Sequence, residues 1–253
     1  MNSGEYVSTH IEHGINTIEF FHPQSNSLPG KILEELAREI HFAGTHEETK
    51  VIILRSGGEK TFCSGASFDE LASIKNEKEG LKFFSGFANV INAMRKCPKF
   101  IIGRIQGKCV GGGVGLAAAV DYALATGKAE IKLSELAVGI GPFVVGPAVE
   151  RKIGTGAFCA LAIDATAWRS TDWAKRKGLF AEVHESIDGM DEAVYRLANT
   201  LAHSNPTAMA EMKKIFWRGT ENWDELLKER AAISGKLVLS QFTRNAIEKF
   251  KVK

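Results

Sequence analysis

Three consecutive glycines, Gly111 to Gly113, stand between an apolar run and a stretch that suits a helix. The run is FIIGRIQG and the helix-compatible stretch is VGLAAAV. A strand, a glycine turn and a helix start together leave backbone N–H groups unpaired and directed at one spot. Glycine also lets a ligand approach the main chain closely, because it has no Cβ. The segment therefore predicts either an anion-binding turn or a tight turn with close helix–strand packing.

A second loop, KTFCSGASF at residues 60–68, has the same organisation. It follows the apolar run VIILRS and precedes the helical segment DELASIK. Its Gly65-Ala66 pair offers a second backbone N–H. Two donors from two separate loops can form an oxyanion hole, which stabilises an enolate or a tetrahedral oxyanion. We expect the neighbouring Ser64 and Gly111 to contact the same ligand.

One carboxylate, Glu135, stands in an otherwise apolar segment, IKLSELAV. Desolvation among such neighbours would raise the pKa of the carboxyl group, which suits a residue that transfers protons. The alternative is an exposed glutamate at the start of a helix, and for an isolated glutamate this alternative is the commoner one.

The elements that must position these residues alternate between strands and helices. Two short strands surround a turn at His13-Gly14, and LPGKILEELAREIHFAG has the apolar spacing of a helix. Buried strands are predicted at KVIILRS, KFIIGRIQG and VDYALATG. This alternation predicts an α/β fold with parallel strands and helical crossovers.

From about Gly154 the pattern is almost entirely helical, and the last predicted helix covers residues 223–250. Only FAEVH interrupts it as a possible strand. We place the core at residues 1–190 and a C-terminal helical region at residues 191–253. The large apolar residues of this region are expected to pack against the core or against a neighbouring subunit: Trp217, Trp223, Leu226, Leu227 and Phe242.

The overall composition argues against several classes of protein. A net charge of +2 is too small to indicate nucleic-acid binding by itself. The four cysteines form no CxxC pair, so neither a zinc site nor a disulfide framework is predicted. No apolar run reaches the length of a membrane span, and the N-terminus shows no signal peptide. We expect a cytoplasmic protein with no nucleic-acid or membrane partner.

Five motifs, in their order and spacing, resemble the crotonase, or enoyl-CoA hydratase/isomerase, superfamily. They are TIEFFHPQSNSLPGKILEEL, KTFCSGASFDEL, CVGGGVGLAAAVDYALAT, LSELAVGIGPFVVGPAVERKIG and AKRKGLFAEV. The resemblance covers nearly the whole chain. It implies a crotonase-like core of ββα spiral turns with a C-terminal helical trimerisation region, and hence a homotrimer or homohexamer. It also implies an acyl-CoA thioester substrate, with coenzyme A as part of the substrate, no separate cofactor and no metal.

The resemblance also implies roles for particular residues. Ala66 and Gly112 match the oxyanion-hole positions, whose backbone N–H groups bind the thioester oxygen. Lys60 matches a position that often approaches the CoA phosphates. Glu135 matches the second of the two glutamates of hydratases, whereas Gly115 stands in place of the first.

The departures from the family pattern bear on the reaction. Ser67 replaces the usual Asp, and the common Pro-Gly-x-Gly-Gly segment is replaced by IGPFVVGP, which contains Pro142. The spacing G-x-x-P-x-V-x-x-P-x-V from Gly139 resembles a hydratase subgroup for branched substrates of the methylglutaconyl-CoA type. In that reading, the missing side chain at Gly115 provides room for a branched, carboxylated acyl group and removes a repulsive charge.

The sequence thus predicts an enoyl-CoA hydratase, a lyase, with Glu135 as its proton-transfer residue. The expected substrate contacts, beyond the two oxyanion-hole residues, are Lys60, Ser64, Gly65, Gly111, Gly115 and Pro142. One alternative is a single-glutamate isomerase that shifts the double bond between the α,β and β,γ positions. A second alternative is a non-catalytic scaffold that binds acyl-CoA or RNA.

Overall fold

The computed structural model describes residues 4–251. The elements of the first half, in chain order, are β1 (Tyr6–Glu12), β2 (Ile15–Phe21), β3 (Ser27–Leu28), α1 (Gly30–Thr45), β4 (Val51–Ser56), β5 (Thr61–Cys63), β6 (Gly65–Ala66), α2 (Phe68–Ser73), α3 (Glu77–Lys96), β7 (Phe100–Ile105), β8 (Lys108–Val110) and α4 (Gly112–Ala119). The second half contains β9 (Tyr122–Thr126), β10 (Ile131–Lys132), a 3-10 helix (Glu135–Val138), α5 (Gly146–Ile153), α6 (Thr155–Ile163), α7 (Thr171–Arg176), β11 (Glu182–His184), α8 (Ile187–Ala202), α9 (Pro206–Phe216), α10 (Trp223–Leu237) and α11 (Gln241–Lys251).

A six-stranded sheet in the order β1-β2-β4-β7-β9-β11 forms the main layer. Its first two strands are antiparallel and all later pairs are parallel. β4 begins with four buried apolar residues and β7 is buried along its whole length, because parallel strands with helical crossovers are covered on both faces. The predicted α/β class, with parallel strands and helical crossovers, is confirmed.

Two smaller parallel sheets carry the turns that follow the main strands. One has the order β10-β8-β5, and the other pairs β3 with β6. These strands are two or three residues long. These strands could not be predicted from the sequence, because a segment of two or three residues is too short to show a hydrophobic periodicity.

The C-terminal half is helical apart from β9, β10 and β11, and the predicted strand FAEVH is confirmed as β11. The single helix predicted over residues 223–250 is wrong: the chain forms α10 and α11 with a break between them. The hydroxyl of Ser240 accepts a hydrogen bond from the Thr243 N–H at 3.3 Å, which begins the new helix with a polar cap. The proposed boundary at residue 190 lies within α8, which packs on the main sheet.

The C-terminal helices pack on the core of their own chain. Trp217 and Trp223 are buried in the main apolar cluster and meet edge to face, with ring centroids 5.8 Å apart. Leu227 is fully buried in the same cluster, whereas Phe242 is 68% exposed. The expectation that tail residues pack against the core is therefore met by these three buried residues. Assembly into a trimer or hexamer stays a prediction.

A buried polar network fastens α9 to the sheet. The ammonium group of Lys213 donates to the Lys99 carbonyl and to Asp121 Oδ2, both at 2.8 Å. Asp121 also accepts from the Ile101 N–H at 2.8 Å and from Trp217 Nε1 at 3.2 Å. Lys213 is 2% exposed, so this ion pair is shielded from solvent, and additional hydrogen bonds hold both of its partners in place.

Along residues 4–251, no helix combines the length and the apolarity that crossing a membrane requires.

We predict that Lys213→Met lowers the free energy of unfolding by about 3 kcal/mol, because it removes the buried ammonium group that pairs with the Asp121 carboxylate. The adjacent Lys214 provides a matched control, since it is exposed and its ion pair is with Glu211 on the same helix. Lys214→Met should change stability by less than about 0.5 kcal/mol. Urea denaturation of both variants measures the difference, and equal effects would contradict the assigned role of the network.

Candidate active site

Two strand-to-helix junctions lie next to each other. β5 lies beside β8 with Cys63 opposite Cys109, and the loops that follow both strands run side by side. Gly65 has a positive φ of +94°, and a Cβ there would lie 3.2 Å from the Val110 carbonyl and 3.6 Å from the Gly112 nitrogen. Because these glycines lack side chains, the two loops approach backbone to backbone.

The N-terminus of α4 forms one wall of the site. The helix begins at Gly112, so its first N–H groups have no acceptor within the helix and carry the positive end of the helix dipole. A Cβ at Gly112 would overlap the ring of Phe87 from α3. Glycine is therefore needed at this position for two reasons. A larger residue would collide with Phe87, and it would also keep a ligand away from the main chain, as the sequence indicated.

A cavity of about 160 Å³ opens between these junctions. It is smaller than the roughly 300–1,000 Å³ typical of drug-sized ligand pockets, so it suits a short acyl group. Its lining is mostly apolar and aromatic: Ser64, Gly65, Ala66, Phe68, Leu71, Phe83, Phe84, Phe87, Gly111, Gly112, Ser134, Glu135, Val138, Ile140, Gly141, Pro142, Phe143, Val144, Val145 and Ser234. Glu135 is the single ionisable side chain among these described lining residues.

Glu135 begins the 3-10 helix and presents its carboxylate to the cavity wall. Although other atoms of the residue keep some accessible surface, Oε2 is buried and no donor among residues 4–249 reaches it. Burial raises the pKa of this carboxyl group from 4.5 to about 7, with a smaller opposing effect from a backbone hydrogen bond. A carboxyl group with a pKa close to neutrality can both accept and donate a proton under physiological conditions.

The turn before α4 brings the carboxylate and the helix N-terminus together. Gly111 has a φ of +54°, and a Cβ there would lie only 3.0 Å from Glu135 Oε1. Glycine at this position thus admits the carboxylate. The positive end of the α4 dipole favours the ionised form, yet desolvation is the larger effect and the pKa is raised.

The structure brings most of the predicted site residues to one cavity. Glu135, Ala66 and Gly112 lie there together with the expected substrate contacts Ser64, Gly65, Gly111 and Pro142. Lys60 is exposed and lies outside the lining, so its contact with CoA phosphates stays a prediction. In the part of the chain that is described, no group of three or more His, Cys, Asp or Glu side chains could hold a metal ion.

Gly115 departs from its predicted role as a substrate contact. It lies outside the cavity lining, and a Cβ there would be 2.5 Å from Val145 Cγ1 and 2.7 Å from Val145 Cβ. The space expected beside Gly115 is therefore filled by Val145. The expectation of room there for a branched acyl group is wrong for this geometry.

Sequence reasoning missed the wall that α3 and α10 contribute. α3 supplies Phe83, Phe84 and Phe87, and α10 supplies Ser234. The only signal was an apolar spacing typical of any helix that packs on a core, so nothing distinguished the cavity-facing residues from core residues. Ser134, which precedes Glu135, was also missed, because no sequence pattern marks it as a cavity residue.

Comparisons with known proteins agree with this geometry. The model of the family described as "Enoyl-CoA hydratase/isomerase" matches residues 10–249. Methylglutaconyl-CoA hydratase of Mus musculus is 31% identical over 201 residues, which cover 78% of this chain and 63% of the relative. Ethylmalonyl-CoA decarboxylase of Danio rerio is 27% identical over 232 residues, 88% of this chain and 76% of the relative. The crystal structure of an enoyl-CoA hydratase from Bacillus halodurans superposes with a TM-score of 0.88 at 22% identity, covering 96% of this chain and 99% of that one.

The chain therefore belongs to the enoyl-CoA hydratase/isomerase family, and its α/β fold is crotonase-like. The superfamily inferred from the five sequence motifs is confirmed. Membership supports acyl-CoA-processing activity.

We predict that Glu135→Gln stabilises the protein at neutral pH. The folded protein keeps the Glu135 proton up to about pH 7, whereas the unfolded chain loses it near pH 4.5. The wild type therefore becomes less stable, relative to the variant, as pH rises through this interval. A pKa difference of this size corresponds to about 3 kcal/mol above pH 7, and the difference should vanish below pH 4.5.

Urea denaturation of both proteins from pH 4 to pH 8 measures this effect. Glu221→Gln is a control of opposite sign, because hydrogen bonds from two backbone N–H groups, first its own and then that of Gly219, lower the pKa of the exposed Glu221 carboxyl. Its stabilising contribution is present at neutral pH and is lost as pH falls. A pH-independent difference for Glu135→Gln would show that the carboxyl group is not desolvated.

Proposed function

We propose that this protein is an enoyl-CoA hydratase that adds water across the α,β double bond of a short-chain enoyl-CoA, with Glu135 as its single acid–base residue. The observation that carries the proposal is the buried, unpartnered Oε2 of Glu135 in the same cavity as the N-terminus of α4. An orphaned carboxylate oxygen in an apolar cavity costs stability. Such a cost is typical of a group whose partner is the substrate.

The chemistry separates into two halves. The thioester oxygen lies against the backbone N–H groups of Gly112 and Ala66, which stabilise the enolate as charge develops on that oxygen. Glu135 removes a proton from water as the water oxygen bonds to Cβ, and the electron pair of the double bond moves toward the thioester. The same carboxyl group then returns a proton to Cα, so that one water molecule is added in total.

Serine hydroxyls support the choice of hydration. A water molecule held for attack needs two to four polar partners. Glu135 is one, and Ser64 and Ser134 line the same cavity. They can take the place of the second carboxylate that this chain lacks at Gly115.

The acyl group in this proposal is short and carries no carboxylate. No Lys, Arg or His lies among the described residues of the lining, and Val145 fills the space beside Gly115. A substrate carboxylate would therefore be desolvated without a counter-charge and close to Glu135, which is costly. For this reason the carboxylated branch suggested by the sequence is not retained.

Double-bond isomerisation is the second candidate. It is favoured by the presence of only one ionisable side chain in the described lining, because one base suffices to move a proton between Cα and Cγ. The pKa of about 7 suits this shuttle equally well. Hydration and isomerisation differ in their product, so a direct assay separates them.

We also propose that the protein assembles as a trimer or hexamer. Large apolar side chains stay exposed on the single chain, among them Ile163 at 74% and Phe242 at 68%. Exposed apolar surface of this kind is common at subunit interfaces. Sedimentation at micromolar concentration tests this, and a dominant monomer would contradict it.

We predict that Glu135→Gln lowers turnover of crotonyl-CoA by about 10²–10⁴-fold, because the amide keeps the shape of the side chain and removes its basicity. Hydration is followed by loss of the conjugated thioester absorbance, and double-bond migration by the gain of that absorbance from a β,γ-enoyl thioester. Glu221→Gln serves as a control that should keep wild-type turnover. Near-normal turnover by Glu135→Gln would exclude this residue as the base.

The pH profile distinguishes the role of Glu135. If it acts as a base, kcat/KM rises with pH and reaches a plateau above about pH 7, following the pKa of the carboxyl group. Ethylmalonyl-CoA belongs in the same assay because decarboxylases are among the relatives. In decarboxylation the carboxyl group would protonate the enolate as an acid, so activity would fall above about pH 7.

A further inference from the structure

Ser234, a buried residue of α10, lines the same cavity as the two glycine loops. The residue is 1% exposed, and none of the side-chain hydrogen bonds found among residues 4–249 involves its hydroxyl. A serine inside a helix ordinarily donates to the carbonyl four residues earlier. Ser85 does so on the facing helix α3, where it donates to the Leu81 carbonyl at 2.7 Å. Ser234 forms no such bond, so its hydroxyl is available to a molecule in the cavity.

A backbone contact fixes the position of the main chain that carries this hydroxyl. α3 and α10 approach so closely that a Cβ on Gly80 would lie 2.7 Å from the Gly235 Cα, and a Cβ on Gly235 would lie 2.7 Å from the Leu81 nitrogen. Ser234 directly precedes Gly235 in the chain. Its placement at the wall is therefore set by rigid main-chain packing and not by a mobile loop.

The surroundings of Ser234 restrict what it can bind. The same wall carries the rings of Phe83 and Phe84, and the lining offers no cation among the described residues. A neutral hydroxyl or carbonyl oxygen can be satisfied by one serine hydroxyl, since a hydroxyl both donates and accepts. An ionised carboxylate needs more compensation than one neutral donor gives.

We propose that Ser234 is a specificity-determining residue, which hydrogen-bonds a neutral oxygen on the acyl chain of the substrate. The preferred substrate class is then a short acyl-CoA thioester that carries a hydroxyl or keto group, in preference to a purely aliphatic or a carboxylated one. This inference rests on the proposed function, because it requires the acyl group to occupy this cavity.

Binding of matched thioesters tests the proposal. The Glu135→Gln protein is used so that turnover is strongly slowed, and calorimetry measures Kd for butyryl-CoA, 3-hydroxybutyryl-CoA, 4-hydroxybutyryl-CoA and succinyl-CoA. At least one hydroxyacyl thioester should bind about tenfold more tightly than butyryl-CoA, the size expected of one neutral hydrogen bond. Succinyl-CoA should bind more weakly than either hydroxyacyl thioester.

Adding Ser234→Ala should abolish this tenfold ratio, whereas adding Ser85→Ala should leave it unchanged. Ser85 is a matched control because its hydroxyl is satisfied within its own helix. Thermal unfolding of each variant establishes that the fold is kept. A ratio that survives Ser234→Ala, or the absence of any preference for a hydroxyacyl thioester, would overturn the proposal.

The outcomes also separate this inference from the proposed function. If butyryl-CoA binds and no thioester shows a preference that depends on Ser234, only the specificity role fails, and an ordered water satisfies the hydroxyl instead. If no acyl-CoA binds to the protein, the proposed function and this inference fail together.

Discussion

The site depends on a meeting of two backbones with no side chain between them. A Cβ at Gly113 would overlap the Cys63 carbonyl, and a Cβ at Gly65 would stand 3.2 Å from the Val110 carbonyl. Side chains at these positions would force β5 and β8 apart. The start of α4 would then move away from the Gly65-Ala66 turn, and two N–H donors could no longer serve one oxygen. The same glycines are therefore required both for the close packing of the two loops and for the proposed anion site.

The C-terminal helices are part of the site as well as of the apolar core. The 3-10 helix that begins with Glu135 ends at Gly139, whose carbonyl accepts a hydrogen bond from Thr243 Oγ1 of α11 at 3.2 Å. α10 adds Ser234 to the cavity lining. The desolvation that raises the pKa of Glu135 therefore requires the tail to be docked, which links folding of the helical region to the chemistry of the core.

Much of the arrangement could be predicted from local sequence. Strand, glycine turn and helix start follow one another in both loops, so the order of residue types is enough to place Gly65 and Gly112 at the junctions. The apolar residues around Glu135 correctly indicated a raised pKa. The aromatic wall and Ser234 could not be predicted, because helical periodicity shows which face of a helix is buried and not what that face meets.

The misprediction at Gly115 has a physical cause that explains the single carboxylate. A glycine in a helix can leave space for a ligand or for a neighbouring side chain, and the sequence does not distinguish the two. Here α5 begins beside α4, and Val145, the residue that caps it, occupies the place of the missing side chain. A glutamate at position 115 would collide with Val145 unless the valine moved away. The absence of a carboxylate at position 115 therefore goes together with the packing of Val145 against Gly115. In the proposed mechanism, proton transfer in the cavity is left to Glu135, and the serines orient the water that this carboxylate activates.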